Sequence, residues 1–305
     1  MLVFVGALGF SSGVWSKQCE LRKIDQYTFE VDFPDGRTIG IYGWHHPGNG
    51  DLTYSLELYG DSMDRSCSNV EIALKGFLED NKNILNHAKR VYTKLSQSGK
   101  FQEIATERAA QEQKDVNTLY QKIIAGAQKY MERCPHLKDK INESLLIVPG
   151  PDAMYSYARL KKPLLAVENG KLLTEAEKRM PVWAASNAHL YSQLSERTLQ
   201  LLKKQERMGF EITPEYIKEV VRSEKDPDLR RYLAEYLEYN AFLLSQVPER
   251  NEYMLKSMLA RPHSVALVVG YHHNLDFEKQ VLKECQRQQQ FQDQRRSVFE
   301  AKTAE

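Results

Sequence analysis

Alternating apolar positions near the start of the chain predict β-structure. Every second residue from Tyr27 to Phe33 is apolar, which places these side chains on one face of a strand. The Pro-Asp-Gly sequence at 34–36 is typical of a turn, because proline presets φ and glycine tolerates a positive φ. Residues 20–46 are therefore predicted to form a β-hairpin that leads into a buried strand.

A helical period dominates much of the remaining chain. Apolar residues keep to one broad face over 69–95, as in an amphipathic helix, and 110–133 has the same period. The stretch 174–260 is predicted to be almost entirely helical. Within it, Thr213-Pro214 and Asp226-Pro227 are typical helix starts, each an N-cap residue followed by proline.

Short apolar runs between these helices predict further strands. The runs are 101–107, for which a helix start is the alternative, 145–148, 164–167 and 265–270. Buried apolar strands that alternate with helices predict an α/β fold with a mostly parallel central sheet flanked by helices. Because 174–260 is too long for a simple crossover, we expect it to form a large helical insertion or cap.

Charge and hydropathy narrow the classes of protein. The 305 residues include 42 Lys and Arg against 41 Asp and Glu, without the basic excess of a nucleic-acid-binding protein. The apolar run at 2–10 is too short to span a bilayer, and no later segment is long and apolar enough. It suits a signal peptide at 1–16 and export to the periplasm or the extracellular space. The alternative is a first strand in a cytoplasmic protein.

The domain organisation follows from these elements, and the cysteines bear on the compartment. We expect one α/β domain over 17–285 and a polar tail at 286–305. The four cysteines form no Cys-x-x-Cys pair, so a zinc ribbon or a thioredoxin-type site is not indicated. If the protein is exported, one or two disulfides are expected, with three full pairings open; if it is cytosolic, the cysteines are core residues. These cysteines are Cys19, Cys67, Cys134 and Cys285.

One sequence pattern occurs twice. Residues 41–46 (IYGWHH) and 268–273 (VVGYHH) each contain apolar strand residues, a glycine, an aromatic residue and two histidines. Each pattern follows the carboxyl end of a predicted buried strand, where ligands bind in open α/β sheets. Imidazole is a common metal ligand and a general base near neutral pH. We therefore predict a shared functional site, with hydrogen-bonded structural histidines as the alternative.

The two patterns resemble the Gly-x-x-His motifs of the Tiki/TraB/PrgY superfamily, whose relatives include the erythromycin-esterase and ChaN-like haem-uptake branches. The resemblance spans roughly 38–285, in which only the short motifs match. It selects His46 and His273 as the motif histidines. His45 and His272 then occupy the variable positions.

Two charged elements extend the resemblance. Residues 248–254 (PERNEYM) look like the Arg-Asn element of the family, in which Arg250 would hold a substrate carboxylate or an oxyanion. An ordinary ion pair at a helix start is the alternative for this arginine. The family also has a glutamate after the strand that follows the first helix. Glu107 occupies that place in the order of elements, and Glu57 and Glu103 are the alternatives.

The resemblance implies metal-dependent hydrolysis of a peptide or small ester. His46, His273 and Glu107 would hold a divalent metal ion, with Mn, Co and Zn not distinguished, and would leave positions open for water and substrate. Metal-free general-base catalysis by either histidine is a second mechanism. The alternative function is non-catalytic, namely haem binding or peptide sequestration at the cell envelope. The sequence determines neither the substrate nor the oligomeric state.

Overall fold

The computed structural model describes residues 18–44, 59, 65–109, 113–147, 164–180, 193–208, 212–270 and 273–303. Within these ranges, six strands form one sheet. The strands are β1 (Glu20–Asp25), β2 (Thr28–Asp32), β3 (Thr38–Trp44), β4 (Glu103–Ala109), β5 (Leu164–Glu168) and β6 (Val265–Gly270).

Ten α-helices accompany the sheet in the described part of the chain. They are α1 (Cys67–Asp80), α2 (Lys82–Ser98), α3 (Gln113–Arg133), α4 (Lys138–Ile147), α5 (Gly170–Arg179), α6 (Glu196–Met208), α7 (Pro214–Ser223), α8 (Pro227–Ser245), α9 (Val247–Leu259) and α10 (Asn274–Thr303), with a short 3₁₀ helix at Pro135–Leu137.

The strand order is β1-β2-β3-β6-β4-β5. Strands β3, β6, β4 and β5 pair in parallel, whereas β2 runs antiparallel to β1 and β3. Five of the six strands therefore point the same way, and their carboxyl ends meet at one edge of the sheet. The predicted α/β class with a mostly parallel sheet is confirmed.

The predicted hairpin is present at β2 and β3. Gly36 adopts a φ of 87°, and its amide donates a 2.9 Å hydrogen bond to the carbonyl of Phe33. An L-residue with a side chain rarely adopts this φ, so the turn requires glycine there. The turn delivers β3 into the interior of the sheet, beside β6.

Strand β6 is buried on both faces of the sheet. Val265, Leu267 and Val269 join one core cluster with side chains of α9 and α10, whereas Ala266 and Val268 join a second cluster with side chains of α1, α2 and α4. Parallel strands covered on both faces consist of continuous apolar runs, which explains the unbroken sequence at 265–270.

The prediction of a strand at 145–148 is wrong over the described residues, because α4 extends to Ile147. Leu145 packs into a cluster with α1 and α3, whereas Leu146 and Ile147 pack into the cluster beneath the sheet. A helix wedged between two cores buries consecutive apolar residues, so its sequence has the same appearance as a buried strand. Val148 lies outside the described residues.

Where they fall on described residues, the other predicted strands and helices agree with the structure apart from their boundaries. The helical pattern at 69–95 is two helices that meet at Asn81, and 101–107 contributes strand β4 rather than a helix start. Thr213 and Asp226 cap α7 and α8 through their side-chain oxygens. The described residues between β5 and β6 form five helices, α5 to α9, and residues of α7 and α8 share a small core with Leu194. The polar segment from 286 continues α10 as far as Thr303.

All four cysteines are paired. One disulfide joins Cys19, which precedes β1, to Cys285 on α10, and the other joins Cys67 on α1 to Cys134, which follows α3. The structure thus selects one of the three full pairings that the sequence left open. In the described part of the chain, no helix combines the length and the apolar character needed to cross a membrane.

Candidate functional site

The two motif glycines lie on neighbouring strands of the sheet. In the parallel pairing of β3 with β6, Gly43 lies opposite Val269 and Trp44 lies opposite Gly270. The predicted site residues His45, His46, His272 and Glu57 lie outside the described residues. His273, Glu107 and Arg250 are described, and they lie together at this edge of the sheet.

Glu107 and His273 contact each other directly. His273 immediately precedes α10 and is completely buried, and its Nε2 lies 3.1 Å from Oε1 of Glu107. The other carboxylate oxygen, Oε2, accepts a 3.2 Å hydrogen bond from the amide of Gly270. The second motif glycine and the second motif histidine therefore both bind the glutamate at the end of β4.

Arg250 on α9 binds two carboxylates. Its Nη2 donates to Oε1 of Glu107, and its Nε donates over 3.0 Å to Oε2 of Glu168, the last residue of β5. The three side chains are 9%, 12% and 0% exposed respectively. Burial alone would lower the pKa of Arg250, but the two carboxylates outweigh it and raise that pKa. The arginine therefore stays charged and links the first turn of α9 to β4 and β5.

Asn251, the next residue along α9, holds the opposite side of the imidazole. Its Nδ2 donates to the carbonyl oxygen of His273 over 3.0 Å and to Oδ2 of Asp276 over 3.1 Å. A backbone carbonyl can only accept a hydrogen bond, so the amide nitrogen must lie on that side. The amide oxygen then faces Nδ1 of His273, which must carry a proton and donate it.

One further proton lies between His273 and Glu107. Since Nδ1 is a donor, Nε2 and the facing carboxylate oxygen can form their hydrogen bond in only two ways. Either an imidazolium donates to a carboxylate, or a carboxylic acid donates to a neutral imidazole. This pair can release a proton and take one back.

Glu103, one of the alternatives for the acidic residue, lies at the other end of β4. Its carboxylate binds Nε of Arg261 over 2.6 Å and Nε2 of His263 over 2.9 Å. Glu103 is therefore not part of the cluster that contains Glu107, because it lies at the amino end of β4 and Glu107 lies near the carboxyl end.

Sequence reasoning missed two acidic residues of the cluster. Glu168 directly follows the predicted strand at 164–167, and Glu107 is the last residue of the predicted strand at 101–107, so the position at a strand end was a usable signal. Asp276 lies three residues after the second motif histidine, and no sequence pattern around it indicates that it belongs to the cluster. His87 on α2 is a further histidine near the first motif, where its Nε2 lies 2.9 Å from the carbonyl oxygen of Gly43.

The donor types at this edge suit a divalent metal, but their number in the described part of the chain does not. An imidazole nitrogen and a carboxylate oxygen, from His273 and Glu107, are ligands that Zn and Mn accept. Among the described residues, no group of three His, Cys, Asp or Glu side chains could hold an ion. The third ligand predicted from the sequence, His46, lies outside them.

Comparisons of this chain with protein-family models, with curated proteins and with solved structures find no match. The resemblance in the short motifs therefore stays a sequence-based expectation. The function has to be inferred from the geometry of the cluster at the sheet edge.

Proposed function

We propose that this protein is a hydrolase of peptide or ester bonds, with Glu107, Arg250 and His273 in its active site. The observation that carries the proposal is the contact of 3.1 Å between Nε2 of His273 and the Glu107 carboxylate, beside a buried guanidinium. Convergence of an acid–base pair and a fixed cation at the carboxyl ends of parallel strands supports catalysis. A purely structural ion pair has no need of the shared proton.

Each residue has a defined task in this reaction. His273 passes the proton that it shares with Glu107 to the leaving group and takes a proton from the attacking water. Glu107 holds the imidazole and balances its charge. Arg250 uses Nε and Nη2 on the two glutamates, and among the described residues nothing accepts a hydrogen bond from its Nη1. That Nη1 would stabilise the negative charge that develops on the scissile carbonyl.

A cleft beside the cluster would hold the substrate. Its volume is about 740 Å³, within the usual range for ligand sites. Two of its lining residues adjoin cluster residues along the chain: Asn169 directly follows Glu168, and Tyr253 stands one helical turn after Arg250. Lys171 and Lys178 also line it, which favours substrates that carry a carboxylate. We place this cleft under the helical segment 174–260, as the cap over the sheet edge.

Metal-dependent hydrolysis, which the resemblance implies, is the alternative form of the proposal. His46, His273 and Glu107 would then hold a divalent ion, and Nε2 of His273 would be a ligand rather than the proton carrier. When bound, such an ion would lower the pKa of a water molecule and polarise the carbonyl of the substrate. The proposal also includes export after removal of residues 1–16. The two disulfides support export, since disulfides persist mainly in oxidising compartments.

Peptide binding without cleavage is the second candidate function. It is favoured by the saturation of the cluster, in which both ring nitrogens of His273 and both carboxylates already have internal partners. A site of this kind could hold a peptide without the free base that hydrolysis needs. Haem binding at the histidines is the corresponding alternative for a prosthetic group.

The test uses the purified protein with a peptide library and with small chromogenic esters. New peptide termini are read by mass spectrometry, and kcat/KM is measured with and without chelation. We expect His46→Ala and His273→Ala each to lower kcat/KM at least 100-fold. The control His136→Ala, at an exposed position outside the cluster, should retain activity.

The outcomes separate the candidates. Full activity in both histidine variants would contradict the proposal, and full activity after chelation would remove the metal from it. Peptide binding with no new termini would establish the second candidate function. A Soret band on addition of haemin that disappears in the His273→Ala variant would indicate haem binding.

A further inference from the structure

We infer that Asn251 and Asp276 are positioning residues that fix both the tautomer and the orientation of His273. This inference rests on the proposed function, which makes His273 the proton carrier. Neither residue contacts Glu107 or Arg250 in the described hydrogen-bond network. Their effect on the reaction is therefore transmitted through the imidazole alone.

The Asn251 amide is bound at both ends. The residue is completely buried. Its side-chain nitrogen donates hydrogen bonds to two acceptors, and its side-chain oxygen accepts a hydrogen bond from Nδ1 of His273. A flipped amide would place its oxygen against the carbonyl of His273 and the carboxylate of Asp276. Both contacts would then join two acceptors, and buried polar groups without a hydrogen bond are costly. The orientation seen here is thus the only one that satisfies the group.

Asp276 anchors this orientation from α10. Its Oδ2 accepts hydrogen bonds from Asn251 and from Nε2 of Gln280, one helical turn further along. The Gln280 amide also donates over 2.9 Å to the carbonyl of Pro248, in the first turn of α9. Hydrogen bonds therefore connect Asp276 and Gln280 on α10 to α9, and through Asn251 to the imidazole of His273. The packing of the two helices and the orientation of the ring are thus coupled.

The consequence for the reaction is a fixed direction of proton transfer. With the proton held on Nδ1, Nε2 alone exchanges protons, on the side of Glu107. A histidine whose other nitrogen is bound by a fixed acceptor has a defined tautomer, for proton transfer and for metal ligation alike. Asn251 supplies that acceptor as the oxygen of a neutral amide.

The first arm of the test reads the tautomer directly and needs no activity. The full chain is labelled with ¹⁵N-histidine and treated with chelator, and ring nitrogen shifts are recorded at one fixed pH. The signal of His273 is assigned by its loss in His273→Ala. We expect Nδ1 to be protonated in the wild-type protein and in Asp276→Asn, which keeps an acceptor for Asn251. In Asp276→Leu we expect a mixture of tautomers.

The second arm measures hydrolysis. We expect Asp276→Leu to lower kcat at least 10-fold with KM changed less than 2-fold, and Asp276→Asn to stay within 3-fold of the wild type. An unprotonated Nδ1 in the wild-type protein overturns the inference, even if Asp276→Leu fails to fold. Equal kcat values in the two Asp276 variants overturn it as well. If the protein hydrolyses nothing, the proposed function fails while the first arm still decides the tautomer.

Discussion

The imidazole of His273 faces the carboxylate of Glu107 at 3.1 Å, although 166 positions separate the two residues in the chain. They meet because β4 and β6 are parallel neighbours, so that the residues at their carboxyl ends share one edge of the sheet. Both side chains are largely buried, and each has a second partner that restricts its position. This contact combines what a proton carrier needs, namely a defined geometry and little access for water.

Removal of the guanidinium of Arg250 should cost much of the stability of the protein. In Arg250→Met, the carboxylates of Glu107 and Glu168 would remain buried without their shared cation. Breaking a buried ion pair in this way costs about 3–5 kcal/mol, which urea denaturation would measure as a fall in the free energy of unfolding. Arg231→Met, which breaks an exposed pair with Asp228, is the control and should change little. A loss below about 1 kcal/mol in Arg250→Met would show that the pair is solvated in solution.

The first motif glycine is required by close contacts. A Cβ at Gly43 would lie 2.8 Å from the carbonyl oxygen of Tyr27 and would collide with the amide of Asn274. We expect Gly43→Ala to lower the free energy of unfolding by about 1–3 kcal/mol, the usual cost of overpacking. Gly76→Ala, in the middle of α1 with no atom near its Cβ position, is the matched control and should raise stability by about 0.5–1 kcal/mol. Equal thermal midpoints for the two variants would contradict the crowded geometry at Gly43.

The disulfide between Cys67 and Cys134 should stabilise the packing of α1 against the end of α3. We expect the double variant Cys67→Ser/Cys134→Ser to unfold with a free energy lower by about 2–4 kcal/mol, because its unfolded chain is less constrained. Denaturation of the wild type with and without a reducing agent is the companion measurement. If the variant and the oxidised wild type unfold at the same urea concentration, this disulfide makes no contribution.

Glu103 should make the stability of the protein sensitive to acid. Burial by itself raises the pKa of the Glu103 carboxyl, but hydrogen bonds from Arg261 and His263 outweigh it and hold this pKa below the ordinary 4.5. A carboxyl whose pKa is lower in the folded state stabilises the fold above its unfolded pKa. That stability is lost as the pH falls through the folded value.

We therefore expect Glu103→Gln to lower the free energy of unfolding at pH 7 and to flatten its decline below the ordinary pKa of 4.5. Urea titrations at a series of pH values would measure both effects. Glu238→Gln, at an exposed position on α8, should leave the profile as in the wild type. If the free energy of unfolding of Glu103→Gln falls in acid as steeply as that of the wild type, then other carboxyl groups cause the acid sensitivity.

Local patterns determined most of the elements of this protein. Alternation identified β2, a proline and a positive-φ glycine identified the turn, and side-chain caps at Thr213 and Asp226 identified two helix starts. The repeated Gly-aromatic-His-His pattern, with the resemblance it carries, pointed to His273, Glu107 and Arg250, which lie together in the structure. The predictions of strands, turns and helix starts succeed because capping, turns and side-chain periodicity depend on residues only a few positions apart.

Tertiary packing alone determined the features that local patterns left open. The apolar run at 145–147 is a helix because two separate cores cover it, and nothing in the run itself distinguishes that case from a strand. Glu168 joins the cluster because β5 pairs with β4, and Asn251 takes its orientation from a carbonyl and a carboxylate on another element. Strand order and hydrogen-bond direction both depend on partners far apart in the chain, whereas the pattern around a residue records only its immediate neighbours.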